Sequence, residues 1–165
     1  MIAPATAVGI NPALNRSKRF SKDQVPYSQK ALTQDLLRVR NAWIECQAHR
    51  ERDAIYGFLT AVFDLVMWWK AQDREISRAH WALKLKRLDV LHAHEPFGAI
   101  ILATAARQKV HKRTRSKWSR VLRYAAEYKT SAEPLAAFIQ RKGGINKCAE
   151  RFTRCLGRGG RLWGV

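Results

Sequence analysis

Histidines and cysteines offer the first place to look for chemistry. The one close histidine pair is His92-Ala93-His94, followed by Glu95. Two imidazoles that share a metal from one helix face stand four residues apart, so that both project from the same side. His92 and His94 stand two apart, with no cysteine or further carboxylate placed to complete a ligand set, so the segment reads as a loop without a metal. His80 reads as a hydrogen-bonded or exposed histidine. Cys46, Cys148 and Cys155 cannot all pair within one chain, and none lies in a C-x-x-C arrangement, so they read as reduced thiols. Asp64 stands alone inside a strongly apolar stretch. A buried carboxylate could serve as a general acid or base, but it needs a partner, and Asp53 and Asp73 lie too far along one helix to share its site. An internal ion pair or a partly exposed edge accounts for Asp64 better. With no P-loop, dinucleotide fingerprint or nucleophile elbow in the chain, the expectation is a non-enzyme with no cofactor and no metal.

Charge is the stronger signal. The chain has 165 residues, 31 Lys and Arg against 13 Asp and Glu, and a formal charge of +18. Its 47% hydrophobic content is that of a globular domain and not of a disordered polycation. The excess is segregated: residues 1–30 carry +4, residues 31–106 carry +1, and residues 107–165 carry +13. Charge serving solubility alone would be spread over all exposed faces. A basic C-terminal half on a near-neutral scaffold instead points to a polyanionic partner.

These cations must be positioned by helices. Leu32, Leu36, Val39, Trp43 and Cys46 recur at three and four residues and predict a helix over 29–48. A second, over 51–72, is apolar nearly all round and should form the centre of the core. Its most apolar stretch, Ala54 to Trp69, is 16 residues long and contains Asp64, too short and too polar for a membrane anchor. A third, over 76–88, sets Ile76, Ala79, His80, Leu83 and Leu88 against Arg78, Lys84, Lys86 and Arg87, and should be half exposed. Glu95-Pro96 starts a short apolar helix expected to pack on the second. The fifth, over 114–128, has Trp118, Val121, Leu122 and Ala125 on one stripe. Thr130 to Glu133 has capping-box spacing before the helix of Leu135, Phe138 and Ile139. Gly143-Gly144 ends that helix, and a last one runs over 145–156. No strand alternation or internal repeat is present. The expected fold is all-α, an irregular bundle of about seven helices, with a disordered basic arm at 1–27, one domain at 28–156 and a flexible Gly/Arg tail at 157–165. Within the domain, 28–106 is the near-neutral core and 107–156 the basic half. The arm carries its basic cluster after its apolar start and is interrupted by Pro4 and Pro12, which argues against a secretory or transit signal and for a cytoplasmic protein.

The candidate nucleic-acid contacts are Lys112 and Arg113 on the approach to the fifth helix and Arg115, Lys117, Arg120 and Arg123 on it, where no acid interrupts the run from Arg107 to Arg123. Arg141, Lys142, Lys147, Arg151 and Arg154 follow around the Gly-Gly turn, and Arg158 and Arg161 lie in the tail, where Trp163 could stack on a base. The segment from Pro134 to Phe152 resembles the first part of the helix-turn-helix of bacterial nucleoid-associated and enhancer-binding regulators. In that family a turn glycine is followed by two small residues and then a large apolar one; Gly143, Cys148-Ala149 and Phe152 fill those places. The small pair permits a close helix crossing and the apolar residue seals it. Where the family has a second turn and a recognition helix, this chain has Thr153-Arg154-Cys155-Leu156-Gly157, so no recognition residue is carried over. The stretch from Lys112 to Arg154 also resembles small basic proteins of plant-associated soil bacteria, which implies a bacterial origin and no particular activity.

Six tryptophans are many for this length. Core packing is expected for Trp43, Trp68, Trp69, Trp81 and Trp118, although a helix cannot hide the adjacent Trp68 and Trp69 equally, and one of them could mark an interface. Two readings follow. In one, the chain is a DNA-binding accessory or regulatory protein, nucleoid-associated, whose basic half contacts duplex DNA. In the other, it docks an acidic protein partner or a second copy of itself, without catalysis.

Overall fold

The structure, a computed structural model, describes residues 27–49, 51, 53–105 and 110–157, with side chains through Cys155. The arm (Tyr27 apart) and the tail beyond Gly157 lie outside the described residues, as do Arg158, Arg161 and Trp163. Among the described residues there are seven α-helices: α1 Gln29–Ala48, α2 Ala54–Lys70, α3 Glu75–Leu85, α4 Pro96–Thr104, α5 Lys112–Tyr128, α6 Leu135–Arg141 and α7 Ile145–Gly157. A 3₁₀ turn, Val90–His94, joins α3 to α4. Among the described residues there is no strand, and no helix is long and apolar enough to cross a membrane.

The expected periodicities place the core. Leu32, Leu36, Val39 and Trp43 are buried on α1, and Trp118, Val121, Leu122 and Ala125 on α5. An aromatic triad joins α1, α2 and α5: the Trp43 and Phe58 rings lie 5.1 Å apart and the Phe58 and Trp118 rings 6.0 Å apart. Helix α4 packs on α2 as expected, and also on α1, α3 and α5, so that seven of its nine residues are buried. It shares with α2 the centre of the bundle. Phe97 of α4 stacks on Phe63 of α2, with ring planes 9° apart.

Three helices end in the same way. Each closes with an i→i−5 amide bond around a residue of positive φ: Arg74 to Trp69 around Asp73, Leu88 to Leu83 around Arg87, and Gly144 to Ile139 around Gly143. This is the Schellman arrangement, which satisfies carbonyls left open by the last turn. Only Gly143 was foreseen, because glycine alone reaches that region without strain.

Several expectations are corrected. Tyr27, assigned to the arm, packs against Trp68 and Trp69, and its hydroxyl donates to Asp35 Oδ2 at 2.5 Å. The capping box does not form: α6 starts after Pro134, and the Glu133 carboxylate turns to Arg141. Pro134 fixes its own φ and bends the chain just where a box would have continued it. On α3 the sides are exchanged for two residues. Ile76 is 49% exposed, whereas Arg78 is 9% exposed beneath aromatic rings. Trp69 is fully buried, but Trp68 and Trp81 are about half exposed and are not core residues. Asp64 lies on the exposed side of α2, where burial of its surroundings raises its carboxyl and the nearby Lys129 opposes that.

Candidate nucleic-acid interface

Helices α5 and α7 pack side by side more extensively than any other pair. Their contacts advance in the same direction, Lys117 meeting Asn146, Arg120 meeting Thr153 and Tyr128 meeting Cys155, so the two run in the same sense with α6 returning between them. Lys117 Nζ donates to Asn146 Oδ1 at 2.9 Å. Arg120 Nη1 donates to Thr153 Oγ1 at 3.0 Å, while that hydroxyl donates to Ala149 O. Arg113 precedes Lys117 by four residues and Arg120 follows it by three, so the three share the edge of α5 that borders α7.

The start of α5 is unusual for a helix. Its first turn contains Lys112, Arg113 and Arg115 and no acid, and its cap is His111, whose Nδ1 accepts from the Arg113 amide at 3.2 Å. Cations at a helix N-terminus oppose the macrodipole, and among the described residues no carboxylate pairs with Lys112 or Arg113, both exposed. Arg115 is different: its guanidinium donates to Val110 O at 2.8 Å and ties down the approach to the helix.

Other candidates are likewise occupied within the fold. Arg123, 13% exposed, pairs with Glu95 at 2.7 Å and lies 4.7 Å over the Phe152 ring, bracing α5 against the start of α4 and against α7. Arg141 donates twice to Glu133, at 2.7 and 2.8 Å; that hydrogen bonding holds the Glu133 carboxyl below its usual range and raises the guanidinium. Glu150 sits between Arg154 and Lys147 on the outer face of α7, and its carboxyl is held low, first by Arg154 and then by Lys147. Arg151 is exposed on the other side of that face, and Lys142 lies over the Phe138 ring. Both oppose the burial that pushes up the Cys148 thiol.

The α6–α7 hairpin closes around the Gly143-Gly144 turn. Cys148, Ala149 and Phe152 are buried, and Cys148 Sγ reaches to 3.9 Å from Ile139 O across the turn. Helix α7 continues through Thr153 to Gly157, where the helix-turn-helix regulators have their second turn. His92 and His94 lie in the 3₁₀ turn, His94 Nδ1 meets Leu91 O, and Glu95 is committed to Arg123. Among the described residues no three histidine, cysteine or acidic side chains converge as a metal site.

The structure thus separates the charges into two groups that look alike in the sequence. Lys112, Arg113, Lys117, Arg120, Lys142, Lys147, Arg151 and Arg154 can present charge outward, while Arg115, Arg123 and Arg141 are spent on internal partners. A signal for Arg123 was present, since it stands three residues before the partly buried Ala126 on α5, but its partner Glu95 is 28 residues away. Compared with known proteins, the chain matches no family model, no curated protein and no solved structure.

Proposed function

We propose that the chain is a nucleic-acid-binding accessory or regulatory protein that lays the start of α5 and the α5–α7 edge along the phosphates of duplex DNA. The observation that carries this reading is the first turn of α5. A helix N-terminus carries positive partial charge, and here it also carries two exposed cations that oppose the dipole of the free helix. A phosphate placed there would meet the dipole and both side chains at once. Lys117 and Arg120 extend the same surface toward α7. Phosphate contact of this kind positions the protein without reading base sequence. The α6–α7 hairpin then acts as the support that holds α7 against α5, not as a recognition helix.

The test is binding of the full chain to a fluorescent duplex between about 50 and 300 mM salt, with polyglutamate as competitor. Affinity should fall steeply with salt, by close to one logarithmic unit of slope per phosphate contacted, and polyglutamate should compete poorly. For Arg113→Ala, Lys117→Ala and Arg120→Ala combined, the slope should fall by about 2.7. Displacement by polyglutamate at equal charge, or a slope unchanged in the triple variant, would move the partner to the acidic-protein class.

A further inference from the structure

The N-terminus of α1 and the C-terminal part of α3 enclose a cleft of ≈ 670 Å³. Helix α3 packs on α1, α2, α4 and the 3₁₀ turn but on none of α5, α6 and α7, so this cleft is separate from the basic face. Its volume falls in the range of small-molecule sites, roughly 300–1,000 Å³. Tyr27, Leu32 and Trp81 supply apolar wall; Arg78, Lys84 and Arg87 supply charge; among the described residues no carboxylate lines it.

Arg78 is the informative residue. It is nine-tenths buried, its guanidinium carbon lies 3.9 Å from the centre of the Tyr27 ring, and Nη2 donates to Gln72 Oε1 at 2.7 Å. Nη1 has no hydrogen-bond partner among the described residues. Buried guanidinium donors are ordinarily all spent, so this covered and unsatisfied donor leaves the residue that lines the cleft short of an acceptor. The nearby carboxylate, Asp35, already accepts from the Tyr27 hydroxyl and pairs with Arg38 at 3.6 Å. The start of α1 adds to the same field: Ser28 and Gln29 line the cleft, and the first turn of this 20-residue helix contains no acid. Burial lowers the Arg78 guanidinium from its ordinary value, with Tyr27 and the Asp35 carboxylate opposing and Arg74 adding to it. Two aromatic surfaces meet these cations. Trp81 is 56% exposed with Lys84 Nζ 4.8 Å from its ring, and the Tyr27 ring, half-buried between Arg78 and the Trp68 and Trp69 rings, borders the cleft. The chain's own first 26 residues make a poor occupant, because Arg16, Lys18, Arg19 and Lys22 against the single Asp23 give them a charge of +3.

We propose that this cleft binds a small planar aromatic anion, its ring against Tyr27 and Trp81 and its carboxylate or phosphate on Arg78, Lys84 and Arg87 at the start of α1. The inference does not rest on the nucleic-acid reading.

Calorimetric titration of the full chain with 2-naphthoate, with adenosine monophosphate and with the neutral 2-naphthamide tests it. At least one anion should bind with a Kd below about 1 mM, and the amide should bind at least about tenfold more weakly. Which anion binds decides between a carboxylate and a phosphate ligand. Trp81→Ala, and separately Lys84→Ala with Arg87→Gly, change exposed positions and should each weaken binding at least about fivefold with helicity retained. Lys112→Glu with Arg113→Glu, on the other face, should leave it unchanged. Failure of both anions, equal binding of the amide, or indifference to both cleft variants would overturn the proposal.

Discussion

Replacing Lys112 and Arg113 by glutamate should make the protein more stable and bind DNA worse. Both residues are exposed in the first turn of α5, where the positive end of the helix dipole favours negative charge. Each unfavourable cation–dipole contact costs roughly 0.3 kcal/mol at an exposed site, and each glutamate that replaces it gains about as much. The double variant should therefore gain about 1 kcal/mol at low ionic strength, which for a chain of this size raises Tm by roughly 2–4 °C. The effect on DNA has the opposite sign. With a slope of about −0.9 per phosphate, one contact is worth about fivefold in affinity at 0.15 M salt relative to 1 M, so two lost contacts weaken binding about 30-fold before any repulsion is added. Thermal unfolding by far-UV circular dichroism and duplex titration at several salt concentrations, on the same preparations, give both numbers. A double variant that is less stable, or that binds duplex with the parent's salt slope, would refute the assignment of this turn to phosphate.

Arg123→Ala should behave in the other way. It removes a partly buried ion pair with Glu95 and the cover over Phe152, and should cost about 2 kcal/mol in urea unfolding, with a duplex salt slope little changed. Asp73→Gly relieves a left-handed residue at the end of α2 and should stabilise by about 0.5–1 kcal/mol, read as a raised urea midpoint with unchanged m. Burial, and then the hydrogen bond to Asp35, raises the Tyr27 phenol above its ordinary value, so the folded state keeps a proton that the unfolded state releases above about pH 10. That contribution is fully present below pH 10 and is lost as pH climbs toward the raised value. The fall in Tm above pH 10 should accordingly be shallower in Tyr27→Phe than in the parent.

Helix positions were legible in the sequence because each rests on a local period. Leu135, Phe138 and Ile139 mark α6 unaided, and the Gly-Gly pair marks its end. The misplacements share a cause, which is that their determinants are not local. Arg78 looks like a solvated residue on the polar side of α3. Its burial follows from Tyr27, 51 residues earlier, whose ring supplies a surface on which a guanidinium can be desolvated at tolerable cost. Once Arg78 and Tyr27 occupy that space, Trp68 is left half covered and Ile76 is turned outward. Asp73 and Arg87 take a conformation that their side chains disfavour because the amide bonds to Trp69 and Leu83 stabilise the chain reversal more than the strain costs.

The same limit governs the candidate interface. Charge counting located the basic half and could not rank its members, since a guanidinium facing a phosphate and one facing Glu95 are the same letter. What ranks them is the competition for each cation between partners inside the fold and a partner outside it. Arg123 and Arg141 already hold short carboxylate contacts, and releasing either would leave Glu95 or Glu133 without its partner. Lys112 and Arg113 have no such alternative, and they stand where the helix itself opposes their charge. A polyanion meeting this surface gains most where the free protein is least satisfied. Binding should therefore concentrate at the start of α5 and weaken along α7, where Glu150 already offsets Lys147 and Arg154. Glu150→Gln separates the alternatives: it frees two cations on α7, and should strengthen duplex binding by no more than about fivefold, the worth of one contact at 0.15 M salt, with the α5 variants still dominant.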